Sequence, residues 1–217
     1  MGSREIKVLT NSVGGKINLP GQGGMIRTES TLESDFALSN MRPGGPLIKS
    51  QPLTIEFEDS EGKTRRYTPD FLLIHPPDER NVQRHELVET KYRCDLELNP
   101  ERYVEKFRAA ERYARERNWT FVVRTEEDLR GPELNNLKFL MLYVRDPQPD
   151  ALIWERIQQV VRRVSGSTVR EVLAELDPAP AEQMRLLPYL WQQVLHRTLR
   201  VDLKLPIGVA PLLRSSG

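Results

Sequence analysis

The sequence predicts a mixed α/β domain followed by a smaller, mainly helical one. Three observations carry that prediction. Residues 47–92 contain short runs in which apolar and polar residues alternate, the period-two signature of strands. Apolar residues at helical spacing flank these runs at 31–40 and 100–116. After Asp146-Pro147-Gln148-Pro149, which reads as a linker, the strand pattern gives way to helical stripes. The expected organisation is an N-terminal arm over 1–27, an α/β domain over 28–146 and a C-terminal module over 150–217. A chain of 217 residues is long enough for one full domain and a smaller one.

Composition narrows the function classes. Hydrophobic content of 38% and charged content of 29% fit a soluble globular protein. No apolar run has the length of a membrane span and no signal peptide is visible, so a cytoplasmic location is expected. A single cysteine, Cys94, excludes an internal disulfide and a cysteine-based zinc site. The three histidines, His75, His85 and His196, are scattered and form no ligand pattern. The net charge of +1 means that nucleic-acid binding would rest on local basic faces.

In chain order, residues 1–27 are rich in Gly, Ser and Asn and read as a flexible arm. Gly14-Gly15-Lys16-Ile17 lacks the Ser/Thr after Lys that a phosphate loop needs. Ser30-Thr31-Leu32-Glu33 is a capping box opening a helix from Thr31 to about Asn40, with Leu32 and Phe36 on one face. Glu33 has two explanations here. It can reach back to the Ser30 amide, or it can face a sheet end and join an acidic cluster.

Leu47 to Phe57 reads as extended, with Pro52 marking an edge or a bulge. Asp59 to Lys63 is a turn, and Thr64 to Ile74 returns as a strand. The loop from Pro76 to Asn81 joins it to a strand from His85 to Tyr92. Asn99-Pro100 starts a long helix with Val104, Phe107, Ala110, Tyr113 and Ala114 as its buried stripe. Its interleaved arginines and glutamates read as a solvated face. Trp119 to Arg124 is another strand, and Leu134 to Tyr143 is apolar enough to pack against the sheet, as a helix or a last strand. In the C-terminal module, Ile153, Ile157, Val160, Val161 and Val164 form one stripe, and Thr168 to Glu171 is a second capping box. A third helix spans about Glu182 to His196, with Pro188 as a kink or a late start. It is expected to offer Gln183, Arg185, Gln192, Gln193 and Arg197 outward. An alternating strand, Leu199 to Leu205, follows. Three helices and a strand resemble a winged helix.

The chemistry is concentrated between Tyr67 and Tyr92. Asp70 follows Pro69 at the entrance of one strand, and Glu89 and Lys91 lie two apart on the next. Period two places Glu89 and Lys91 on one face and Val88 and Thr90 on the other. If the strands pair as a hairpin, Asp70 approaches the same patch. Two carboxylates about 4 Å apart repel by roughly 1–4 kcal/mol, so the grouping calls for a cation. Phosphodiester hydrolysis uses a divalent cation and a fixed positive charge in this way. Mg²⁺ needs only one or two carboxylates besides waters and substrate oxygens. Asp70 and Glu89 are the candidate ligands, with the Thr90 carbonyl as a third, and Mn²⁺ is expected to substitute. The simpler alternative is an exposed Glu89–Lys91 salt bridge, worth about 0–1 kcal/mol.

These residues resemble the TnsA subunit of heteromeric cut-and-paste transposases. The matching pieces are Ser30-Thr31-Leu32-Glu33 with Phe36, Gln51-Pro52, Thr68-Pro69-Asp70-Phe71 and Val88-Glu89-Thr90-Lys91-Tyr92. The resemblance covers roughly residues 28–145, and the C-terminal module more loosely. It implies a restriction-endonuclease-like fold, with catalytic residues Glu33, Asp70, Glu89 and Lys91. It also implies Mg²⁺, cleavage at the 5′ ends of a transposon, and work on double-stranded DNA beside a TnsB-like recombinase and a TnsC-like AAA+ ATPase. The alternatives are a stand-alone restriction or junction-resolving nuclease of the same fold, and a non-catalytic DNA-binding or scaffold protein.

Overall fold

The computed structural model describes residues 15–18, 25–40, 45–143, 150–196, 198–208 and 210–214. The expected linker, Asp146 to Pro149, lies outside them, as does most of the expected arm. Within the arm, strand β1 (Gly15–Asn18) pairs antiparallel with β2 (Met25–Thr28). The chain continues through α1 (Thr31–Ser39), β3 (Leu47–Ser50), β4 (Ile55–Glu58), β5 (Thr64–Tyr67), β6 (Phe71–Ile74) and β7 (His85–Thr90). Then come α2 (Arg93–Leu98), α3 (Glu101–Arg115), β8 (Thr120–Arg124) and α4 (Glu126–Leu129). The described residues fall into two compact units that divide between Leu129 and Arg130.

The first unit is a mixed α/β structure around a four-stranded sheet in the order β3-β6-β7-β8. The first three strands are antiparallel, and β8 runs parallel to β7 after the α3 crossover. One face carries Leu72 and Leu87 against Ala109 and Ala110 of α3 and Tyr67 and Ile55 of the β4–β5 hairpin. On α1, Phe36 stacks on Phe71 of β6 at 4.9 Å between ring centroids.

Two expected strands are each broken in two. Leu47 to Phe57 splits into β3 and β4, and Thr64 to Ile74 into β5 and β6. β4 and β5 pair with each other as a separate two-stranded ladder. Gln51 makes the first break, with a left-handed φ of 45° followed by Pro52. A positive φ reverses the strand path and proline has no ladder donor, so the chain leaves the main sheet there. The α3 stripe also shifts. Tyr103, Ala109, Ala110 and Ala114 are buried, whereas Val104 is 41% exposed. Tyr103 lies seven residues, about two turns, from Ala110 and shares its face, while Val104 sits about 100° further round.

The second unit holds α5 (Pro132–Met141), α6 (Ala151–Arg163), α7 (Val169–Leu176) and α8 (Pro180–Leu195). Strands β9 (Leu199–Arg200) and β10 (Leu213–Arg214) form a short antiparallel ladder. Leu134 to Tyr143, expected as a helix or a last strand against the sheet, largely falls in helix α5 of this unit, with Leu140 in its core beside Ile157 and Leu190. Helix α8 runs through Pro188 unbroken. Its Gln192 and Gln193 are buried rather than outward. They share the inner face with Leu186 and Leu190, and their amides donate to the carbonyls of Tyr143 and Trp154, both at 3.2 Å. Arg197 lies outside the described residues. The expected strand to Leu205 stops at Arg200, because Asp202 opens a turn in which its Oδ1 accepts from the Lys204 amide at 2.9 Å.

Helix α6 is capped by Asp150, whose Oδ1 accepts from the Leu152 and Ile153 amides at 2.9 and 3.2 Å. Asp150→Ala is expected to lower stability by about 1 kcal/mol through this lost cap. Chemical denaturation followed by tryptophan fluorescence measures it, and an unchanged midpoint would show that the cap contributes nothing. No helix among the described residues is long and apolar enough to cross a membrane.

Candidate active site

The hairpin of β6 and β7 builds the site. Its register pairs Phe71 with Val88, so the next step along the ladder brings Asp70 alongside Glu89. Asp70 Oδ2 is fixed by Thr90, accepting from its amide at 2.7 Å and its hydroxyl at 2.8 Å. Lys91, just past the end of β7, turns its ammonium back over the same spot. Its Nζ lies 2.9 Å from Glu89 Oε1, 3.0 Å from the Thr90 carbonyl and 3.9 Å from Asp70 Oδ2. The three oxygens expected to receive a metal are thus gathered around this one ammonium.

The Glu89–Lys91 pair is made, but not as an exposed salt bridge. Glu89 is 2% exposed, and its other oxygen, Oε2, accepts from the Tyr67 hydroxyl at 2.7 Å. Burial raises the Glu89 pKa and the nearby Asp70 raises it further, against the pull of Lys91 and Tyr67. Burial works against the Lys91 charge too, but Asp70 and Glu89 outweigh it and the Lys91 pKa ends raised. The leading causes differ: burial raises Glu89, whereas for Lys91 the two nearby carboxyls overcome burial, so the lysine keeps its proton.

Glu33 combines parts of both its explanations. Ser30 caps α1 by accepting from the Glu33 amide at 3.1 Å, but the Glu33 carboxylate reaches the Glu29 amide, at 2.7 Å, rather than that of Ser30. Its pKa is raised, first by burial, with Asp70 among the further causes, so Glu33 lies within electrostatic reach of the pair. It does not complete a compact acidic triad. Among the described residues, no three His, Cys, Asp or Glu side chains gather closely enough to hold a metal ion by themselves. The start of α1 is tied to the end of β7 by a hydrogen bond between the hydroxyls of Thr31 and Tyr92, 3.0 Å.

Three further residues reach this site; the sequence marks Gln51 only as half of the Gln51-Pro52 pair and gives Tyr67 and Lys106 no role there. Gln51, at the strand break, donates its amide N–H to the Asp70 carbonyl at 2.8 Å, and its side-chain amide to Glu29 Oε1 at 2.7 Å. It therefore links the backbone of Asp70 to the residue that holds Glu33. Lys106 of α3 sits over aromatic rings, 4.4 Å from the Tyr103 centroid and 5.5 Å from that of Tyr67. Burial lowers its pKa, while Glu89 works the other way. Tyr67 reaches Glu89, and Lys106 the Tyr67 ring, only through tertiary packing, so no local spacing announces them.

The donor set is chemically coherent. Asp70, Glu89 and the Thr90 carbonyl are hard oxygen donors, and they suit a hard divalent cation rather than a thiophilic one. Residues 47–126 match the family model described as TnsA-like endonuclease N terminal. These residues form a TnsA-like endonuclease domain. The TnsA-like segment contains Asp70, Glu89, Thr90 and Lys91 as well as Tyr67 and Lys106, whereas Glu33 lies before it. No curated protein matches the chain significantly.

Proposed function

We propose that this chain is the metal-dependent DNA endonuclease subunit of a transposase of the Tn7 type. In this reading it cleaves the 5′ ends of a transposon during excision, in the bacterial cytoplasm, in concert with a TnsB-like recombinase and a TnsC-like AAA+ ATPase. The observation that carries the reading is the Asp70–Glu89–Lys91 cluster, with Glu89 buried and the other two half-buried, inside a TnsA-like endonuclease domain. A structural protein gains little from burying a carboxylate beside a second one, because desolvation opposes its charge.

Asp70, Glu89 and the Thr90 carbonyl would hold Mg²⁺, or Mn²⁺ in its place. Bound there, the cation would screen the scissile phosphate and acidify a water. Thr90 keeps Asp70 oriented through its amide and hydroxyl. Lys91 supplies the fixed positive charge that holds an attacking water and stabilises the charge developing on phosphorus. Glu33, joined through Glu29 to Gln51 and Asp70, provides a further negative group at the edge of the site.

In the second unit, α6 to α8 with the β9–β10 ladder supply the three helices and short wing of a winged-helix-like module. We assign it to partner docking, because Leu152 and Met184 are 79% and 67% exposed. Deleting residues 130–217 is expected to leave the metal site folded and to abolish partner-dependent cleavage. The decisive experiment incubates the chain with its partners and a DNA carrying transposon ends, then maps the nicks with and without EDTA. Mg²⁺-dependent nicks at the 5′ ends support the reading. Cutting without any partner would favour the stand-alone nuclease, and no cutting under any condition would remove the enzyme assignment.

A further inference from the structure

We propose that Tyr67 is a positioning residue that engages one oxygen of Glu89, leaving the other to face the cluster, and thereby sets which divalent cation the site accepts. The inference rests on the nuclease reading above and concerns the same site.

Tyr67 is 7% exposed and packs with Ile55, Leu72, Leu87, Ala109 and Ala110, so its ring is fixed by the core. Its hydroxyl donates to Glu89 Oε2 at 2.7 Å, while Glu89 Oε1 faces Lys91 at 2.9 Å. The two oxygens of Glu89 are therefore not equivalent. Oε2 is held in the core by the Tyr67 hydroxyl, aimed at it from a ring that the core fixes. Oε1 instead faces the Lys91 ammonium, which also lies 3.0 Å from the Thr90 carbonyl and 3.9 Å from Asp70 Oδ2, so a cation taken up at this spot meets Oε1 while Oε2 stays engaged by Tyr67. Small octahedral cations such as Mg²⁺ accept one oxygen per carboxylate, whereas Ca²⁺ takes six to eight oxygens and often both from one carboxylate. The Tyr67 hydroxyl thus disfavours Ca²⁺ by withholding the second oxygen.

Tyr67→Phe removes this hydroxyl and leaves the ring in place. Titration calorimetry of Mn²⁺ and Ca²⁺ into the full-length wild type and variant reads the effect without any cleavage assay. Removing a partner that orients a ligand weakens metal binding by about 10–100-fold. We expect Mn²⁺ affinity to fall by about 10-fold, and Ca²⁺ affinity to fall by less than about 3-fold or to rise, as Glu89 becomes free to offer both oxygens. Tyr67→Met, which fills the space without a donor, should shift the ratio in the same direction, and thermal melts check that both variants fold. Equal changes for both ions, or no change in either, would overturn the proposal and leave the nuclease reading standing. A wild type that binds neither ion would overturn both.

Discussion

Glu89→Gln is expected to reduce strand cleavage by about 10³-fold or more, the loss of several kcal/mol of charge stabilisation at the reacting phosphate. The amide is nearly isosteric with the acid and can still face Tyr67 and Lys91, so the fold should survive. The same substitution should have an opposite effect on stability. The folded-state pKa of Glu89 is raised above the ordinary 4.5, first by burial and then by Asp70. A raised carboxyl pKa means that the folded protein favours the protonated form. The stability it contributes is complete below pH 4.5 and is lost as pH rises through the folded pKa. Glutamine is neutral throughout and escapes that loss. The melting temperature of the variant, relative to wild type in EDTA, should therefore climb between pH 4 and pH 7. Wild-type cleavage by the variant would end the assignment of Glu89 as a ligand, and a pH-independent melting difference would contradict the raised pKa.

Lys91→Ala should reduce cleavage by roughly 10²-fold or more, the usual loss when a preorganised charge is removed from a developing oxyanion. It should not weaken divalent-ion binding. The Lys91 ammonium sits among Glu89 Oε1, the Thr90 carbonyl and Asp70 Oδ2, the oxygens assigned to the metal. Removing it leaves two carboxylates without their shared counter-charge, so Mn²⁺ affinity in a calorimetric titration should hold or tighten. Asp70→Ala should weaken the same titration strongly. Near-wild-type cutting by Lys91→Ala in the assembled system would show that the lysine is only a salt-bridge partner.

The pairing of Asp70 with Glu89 and Lys91 was legible because it depends on local rules. Period two sets which side chains share a face, and one hairpin brings the neighbouring strand alongside. The polar neighbours of that cluster were not legible. Tyr67 reaches Glu89 because the chain leaves the main sheet at Gln51 and folds β4 and β5 over α3, and a single residue with positive φ leaves no periodic trace. Glu33 read both as a capping-box residue and as a member of the acidic cluster, and the structure moves its capping target by one position, from the Ser30 amide to that of Glu29. In the second unit, polarity misled. Gln192 and Gln193 look like surface residues by composition, but they belong to the inner face of α8 because each finds a backbone carbonyl to bind. The unit boundary escaped for a related reason. Asp146 to Pro149 has linker composition, whereas α5 just before it buries Leu140 in the second core.

The β6–β7 hairpin has a reactive end and a free one. Asp70, Glu89 and Lys91 occupy one end, while residues 76–84 at the other are exposed and held mainly by Asp78, whose Oδ1 accepts from the Arg80 and Val82 amides, both at 2.9 Å. Ring closure in a flexible loop grows only logarithmically with length, so doubling this one adds about 0.6 kcal/mol of chain entropy. The strand register, set by the ladder from Phe71 to Ile74, would not shift. A peptide tag or fluorophore inserted at Glu79 should therefore be tolerated without displacing the carboxylates, which makes this turn the natural point of attachment for following the protein on DNA.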